Sequence, residues 1–492
     1  MADYDLAIIG GGLNGVSLAR DAAGRGLRVI LVEQGDLGGA ASSATPRLVH
    51  GDLSVLERRG FWRVRRALAE RRIWLRIAPH LVRPMRFVIP AHSDERPPWL
   101  LRAGLFVYDS LTHRGGLPAT TTLDITHHPV GNALKRPFGI AFEYSDCVVD
   151  DSRLVVLTAL DAAERGAVIR TGARCVRADR TDVWRLAVID RGYRRMITAR
   201  ALANATGAWT SMVAETVLRQ PQPPMAAMQM SQIVVPRLFE SGNVYVFQNN
   251  DGRLIFASPF EHDFTLIGTV TRAFTGDPAI VAMPGADMAY LCEAASRYFR
   301  ERVAPADVVR TIAGVNLVPA SPRRRDGTAQ FDARRRKAPL LTMFGGDITT
   351  SRLRAELAVT KLTPFYPMSP RWTAGAALPG GDFAWDRFDD EVDLARDRWP
   401  FLSEPQSQRL VAAYGSRLPA VLGEAKTRDE LGPGFGPELT GAEVRYLMKM
   451  EWARFPDDIL WRRSKLGLTM PADDRDALAV FMANVNDPPR TG

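Results

Sequence analysis

Apolar and polar positions alternate differently in different parts of this chain, and each regime predicts its own element. Residues 5–10, Asp-Leu-Ala-Ile-Ile-Gly, form a short apolar run with no alternation, which suits a strand buried on both faces of a parallel sheet. Residues 16–25, with Ala19, Ala22 and Ala23, predict a helix packed on that strand, and residues 28–32, closing on Glu33, predict a second buried strand. Residues 199–207 predict a later strand that ends on a glycine turn. Residues 233–235, 244–247, 254–257 and 265–269 are β-rich runs between polar turns, so this stretch is sheet without helical period. A Pro/Gly-rich passage over 364–381 then predicts a domain boundary near 382.

The turn between the first strand and helix reads Gly10-Gly11-Gly12-Leu13-Asn14-Gly15, a G-x-G-x-x-G in the context that gives it meaning. Gly10 and Gly12 let backbone approach a pyrophosphate, and Gly15 lets helix pack on strand. The amides of Leu13 and Asn14 open the helix towards the phosphates, and Glu33 accepts hydrogen bonds from an adenosine ribose. After Glu33 comes a stretch of small residues and hydroxyls through Ser42 and Ser43 to Leu48-Val-His50-Gly51. Such a segment lets an extended backbone run beside a long cofactor and would be an odd insertion in a nicotinamide enzyme, which favours FAD.

Composition narrows the picture. Lys plus Arg number 64 against 55 Asp plus Glu, so the net charge is +9 and an anionic partner is favoured. The three cysteines, Cys147, Cys175 and Cys292, form no C-x-x-C pair, which argues against a disulfide framework or structural zinc and for a reducing cytoplasm. No apolar run reaches the roughly 18 residues of a membrane span, and the acidic start Met-Ala-Asp-Tyr-Asp is unlike a signal peptide, so a cytoplasmic location is expected. Residues 58–86 carry ten arginines and one acid, Glu70, with Phe61, Val64, Leu68 and Leu75 at helical spacing beside Trp62 and Trp74. A basic amphipathic helix of this kind either lies on the anionic inner face of the cytoplasmic membrane or packs its apolar side on the domain, and both readings stay open. No H-E-x-x-H, nucleophile elbow or groove-entering nucleic-acid motif is present, so no metal site and no nucleic-acid partner are expected.

Leu48-Val-His50-Gly51, Val149-Asp-Asp-Ser-Arg-Leu154, Asn204-Ala-Thr-Gly207, Lys337-Ala-Pro-Leu-Leu341, Phe344-Gly-Gly346 and Asp457-Asp-Ile-Leu-Trp-Arg-Arg463 together resemble the FAD-dependent, membrane-associated glycerol-3-phosphate dehydrogenase family over nearly the whole length. The resemblance implies an α/β (α+β) fold: a Rossmann-type FAD domain assembled from about 1–90, 140–210 and 340–370, a mixed-sheet substrate domain over about 91–139 and 211–339, and a helical C-terminal domain over 383–492. It implies oxidation of sn-glycerol 3-phosphate or a related alcohol, with a quinone or other acceptor for the electrons. It places His50, Arg47 and Arg352 at the active site and Gly207, Gly346 and Thr349 beside the cofactor.

Against the family pattern this chain carries replacements. Ser54 and Asn316 stand where the family has arginines, Asp347 where it has a lysine, Gln232 where it has a histidine and Thr271 where it has an acid. Two arginines and one lysine lost and the Asp347 acid gained shift the local charge by about −4; each lost cation at about 4 Å from a dianion forfeits on the order of 1–4 kcal/mol. These losses keep alternatives in view: a different alcohol or amine, phosphorylated or not, as substrate, or a non-catalytic flavoprotein. Arg323 to Arg325 and Arg334 to Arg336 read as solvated loop charge rather than compensation.

Overall fold

The computed structural model describes residues 2–53, 55, 60–91, 97–135, 139–221, 223–249, 251–320, 330–333 and 337–486. Their strands form two large sheets. The main path of the first runs Gln330–Asp332, Leu340–Thr342, Tyr193–Asn204, Tyr4–Ile9, Val29–Glu33, Val168–Thr171. Tyr4–Ile9 lies at its centre, parallel to both neighbours, with Leu6 opposite Ala201 and Val29. A central strand has no solvent face, which is why its apolar run does not alternate. The helices Leu13–Gly24, Asp151–Glu164 and Ser351–Thr360 share one core against this sheet, through Val16, Leu154, Val155 and Val359.

The second sheet runs Arg310–Pro319, Met225–Pro236, Phe264–Ala273, Leu254–Phe260, Val244–Gln248, Val82–Ala91, Ile140–Val149, Leu48–Val49. The β-rich runs all lie here. So do Leu48–Val49, Val82–Ala91 and Ile140–Val149, which the sequence grouping put with the cofactor segments, while Gln330–Asp332 joins the first sheet. Apolar pattern gives a strand but not its partner; the ladders do, with Leu48 opposite Val148 and Phe87 opposite Tyr144.

Only part of 58–86 is helix. Phe61–Ile77 is helical, the chain turns at Ala78, and Val82 starts a strand. Val64, Leu68, Trp74 and Leu75 are buried in the protein, whereas Phe61 and Trp62 are 45% and 77% exposed. The C-terminal helices have a core of their own, including Val392, Leu410, Val444, Leu447 and Leu478. Ion pairs lock them to the rest: Arg153 holds Glu451, Lys465 Nζ lies 3.0 Å from Asp150, and Arg462 and Arg463 both hold Asp36.

Candidate functional site

A cleft of about 1000 Å³ lies where the two sheets meet, at the upper end of small-molecule sites. One end is the glycine turn. Gly10 has φ +109°, and a side chain there would put its Cβ 2.5 Å from the carbonyl oxygen of Ala205. A Cβ on Gly15 would fall on the carbonyl oxygen of Gly10, so this glycine serves packing and is not in the lining. Leu13 N–H donates to Ser42 Oγ at 3.0 Å, and Asn14 Nδ2 donates to Gly345 O at 3.1 Å, tying the helix start to both flanking loops. Glu33 lines the cleft with its carboxylate accepting from Gly11 N–H (2.6 Å) and Gly35 N–H (2.7 Å); burial nevertheless holds that carboxyl above its usual range. Ser43 is turned away, its hydroxyl donating to Gly38 O, and lies outside the lining.

At the far end stand His50, Gly207, Gly346 and Thr349. Gly207, at φ +56°, has open space where a Cβ would be, whereas a Cβ on Gly346, at φ +100°, would fall on the Arg354 guanidinium. His50 is fixed through its backbone: its N–H donates to Thr349 Oγ1 at 3.1 Å, and the Thr349 hydroxyl donates back to His50 O at 3.4 Å. Thr349 O in turn accepts from Trp74 Nε1 at 2.8 Å. The neighbouring Gly51 N–H donates to Tyr108 Oη (2.7 Å), which donates to Asp146 (2.7 Å), itself paired with Arg71. The imidazole meets Phe256 edge-on, with ring centroids 6.3 Å apart. His50 is the one histidine lining the cleft among the described residues.

Two residues expected at the active site stand behind it. Arg47 is outside the lining: its guanidinium lies over Phe260 and is held by Val149 O, Asp150, Asp151 and Glu261. Arg352 is 4% exposed and bonds both oxygens of Glu70 (2.9 and 2.7 Å), Glu356 (2.6 Å) and Thr373 (2.8 Å). With Nε, Nη1 and Nη2 all engaged by these partners, the guanidinium is committed away from the cleft. The family resemblance put both near His50; only the fold sets the direction in which they point.

The replaced positions separate too. Asn316 and Asp347 line the cleft. Asp347 accepts from the Thr350 N–H and hydroxyl (2.7 and 2.9 Å), capping the turn into Ser351–Thr360. Gln232 is 2% exposed, outside the lining, and donates to Ala44 O and Thr45 O. Thr271 is exposed and also outside the lining, and Ser54 lies outside the described residues, as do Arg323 to Arg325 and Arg334 to Arg336.

The sequence reading missed three sets of residues. Trp62, Arg63 and Arg66 reach the cleft from the first turns of Phe61–Ile77, opposite the buried Val64 and Leu68; the spacing was visible, but not what the cationic side faces. Tyr108, Asp146 and Arg71 support His50 from distant strands and helices. Arg462 lines the cleft from the C-terminal region while its Nε holds Asp36 at 2.5 Å.

Residues 5–357 match the family model of FAD dependent oxidoreductases, and residues 371–487 that of the C-terminal domain of alpha-glycerophosphate oxidase. The chain is 42% identical over 490 residues to a glycerol-3-phosphate dehydrogenase of Pseudomonas aeruginosa, covering 97% of this chain and 95% of that one. It is 40% identical over 493 residues to the aerobic glycerol-3-phosphate dehydrogenase of Escherichia coli, covering 98% of each. A D-erythritol 1-phosphate dehydrogenase of Brucella abortus is 40% identical over 497 residues, again covering 98% of each. Among solved structures, the glycerol-3-phosphate dehydrogenase of Bacillus halodurans complexed with FAD superimposes with TM-score 0.74 at 22% identity, over 98% of this chain and 94% of that one.

Proposed function

The chain belongs to the FAD-dependent glycerol-3-phosphate dehydrogenase family, and from that footing we propose that it binds FAD in the cleft and oxidises sn-glycerol 3-phosphate to dihydroxyacetone phosphate. The observation that carries this reading is the continuity of the cleft from the Gly10 cradle and Glu33 to His50. The residues present fit the cofactor. Leu13, Asn14 and Ser42 border the pyrophosphate position at a helix N-terminus, Glu33 takes the ribose, and Gly207, Gly346 and Thr349 border the ring system. When bound, the flavin supplies the hydride acceptor.

The protein's own part is to place the alcohol and move one proton. His50 takes the hydroxyl proton of the substrate. Its backbone, held between Thr349 and the Gly51–Tyr108–Asp146 chain, keeps the imidazole at the cleft wall without using either ring nitrogen, and Phe256 limits its rotation. Arg47 and Arg352 brace the fold behind the cleft: Arg47 anchors the turn before Leu48–Val49, and Arg352 ties the helices Phe61–Ile77 and Ser351–Thr360 together behind Thr349.

Electrons leave to a quinone-type acceptor. A membrane contact through Phe61–Ile77 and its packed neighbour, the helix Pro98–Ser110, suits such an acceptor. Trp62, Trp99, Phe106 and Val107 are exposed there beside Arg65 and Arg102. No helix among the described residues is long and apolar enough to cross a membrane, so the contact is with the surface.

A second reading is favoured by Asn316 and Asp347. Hydrogen-bonding groups where cations are absent suit the extra hydroxyls of a longer polyol phosphate, such as the D-erythritol 1-phosphate named for the Brucella relative. The test is to assay the purified holoenzyme with each phosphate and an artificial acceptor and to identify the ketone product. Dihydroxyacetone phosphate as the faster product supports the first reading, faster turnover of D-erythritol 1-phosphate the second, and a flavin-loaded protein that oxidises neither overturns both.

A further inference from the structure

Resting on the reading of a phosphorylated substrate, we infer that Arg63 and Arg66 form the phosphate clamp of this enzyme, in place of the cations missing at Asn316 and Asp347. Arg63, Arg66, Arg174, Arg354 and Arg462 are the cations lining the cleft among the described residues. Arg462 is paired with Asp36 and Asp458. Arg354 Nη2 is turned onto the carbonyl oxygens of Phe344 and Gly345 (2.7 and 2.9 Å). Arg174 stands at the nucleotide end, next to Ala173 and close in chain to Gly172, whose N–H donates to Gly35 O.

That leaves Arg63 and Arg66, which line the cleft together with His50, Gly51 and Asp52. A short connection joins His50 to the helix Phe61–Ile77, with Val55 N–H donating to Asp52 O and Gly60 N–H donating to Val55 O. Arg63 and Arg66, at i and i+3, share the side of this helix that borders the cleft, and side chains at that spacing are neighbours about 5–6 Å apart. Both are exposed, and neither makes an ion pair or side-chain hydrogen bond among the described residues. The first turn of the helix carries no acid to neutralise them. Two forked donors at that separation match the oxygens of one phosphate monoester dianion.

The shared ligand chemistry is a phosphate group, and an anionic lipid headgroup would offer it as well as a substrate, so the experiment has an arm for each. The FAD-loaded full chain is titrated with inorganic phosphate and with sn-glycerol 3-phosphate while the flavin spectrum is followed. The titrations are repeated for Arg63→Ala, Arg66→Ala, the double variant and the paired lysine variants. Wild type should show a saturable phosphate effect, weakened about tenfold by each alanine and partly restored by lysine. KM for sn-glycerol 3-phosphate should rise with kcat at saturation retained, and glycerol should be unaffected. Binding to mixed phosphatidylcholine and phosphatidylglycerol vesicles should be similar in wild type and double variant.

Unchanged phosphate affinity in the double variant overturns the clamp even if sn-glycerol 3-phosphate still reduces the flavin. Unchanged phosphate affinity with lost vesicle binding assigns the pair to lipid and overturns it equally. Phosphate binding that depends on both arginines, in a protein that sn-glycerol 3-phosphate does not reduce, keeps the clamp and discards that substrate instead.

Discussion

His50 takes its place from main-chain bonds, and this decides what its replacement does. Because Thr349 and Tyr108 grip the backbone of His50 and Gly51, His50→Asn leaves those bonds intact and removes only the proton acceptor. Flavin reduction by substrate in stopped flow should fall about a hundredfold or more, with FAD retained; loss of FAD instead would make the residue structural. At this scale the sequence was legible where chemistry depends on backbone. Gly10, Gly12 and Glu33, picked out by their chemistry, all line the cleft, and a side chain at Gly10 would strike Ala205 O. It was illegible where chemistry depends on direction. Arg47 and Arg352 sit within a few residues of the cleft lining, yet Asp150 and Glu261, remote in sequence, turn the first away from it, and the remote Glu70 with the nearby Glu356 turns the second.

Elements supply that direction. The helices Phe61–Ile77 and Ser351–Thr360 meet through Arg352 and Glu70, a bidentate buried pair behind Thr349. Removing one partner strands a buried charge, so Arg352→Ala should lower unfolding free energy by about 3–5 kcal/mol in denaturant melts. Turnover per folded molecule should hold at low temperature. An unchanged melt with lost turnover would return Arg352 to the site. Periodicity found the first of these helices because its apolar positions repeat, but the end of the helix escaped it: the chain turns at Ala78 while arginines continue into Val82–Ala91. Charge is indifferent to secondary structure, so a basic run over 58–86 reads as one element when it is two.

At the scale of the whole molecule the C-terminal region helps form the cleft wall through Arg462. Arg462 and Arg463 grip Asp36 three residues after Glu33, and Lys465 grips Asp150 at the start of Asp151–Glu164. Burial alone would raise the Asp150 carboxyl, but Lys465 and Arg47 outweigh it and hold the group well below the ordinary value of 3.8. A carboxylate held low when folded stabilises the protein above its unfolded value, and that stabilisation is lost as pH falls through it. Wild type should therefore lose thermal stability as pH drops below about 4. Asp150→Asn, which can still cap the helix at Arg153 N–H, should be less stable at neutral pH and flatter on the acid side. Parallel acid limbs in the two proteins would contradict this. The helical tail was expected from the family resemblance, but not these contacts, because pairs 315 and 426 residues apart leave no local pattern.

The central claim is that the cleft from Gly10 to His50 holds a flavin that a polyol phosphate reduces. The most direct measurement is anaerobic: purify the protein, record its visible spectrum, add sn-glycerol 3-phosphate and follow the oxidised flavin band. Rapid bleaching is the predicted result. A bound flavin that stays oxidised with that donor and with D-erythritol 1-phosphate would contradict it, leaving a protein that keeps the cofactor without the chemistry.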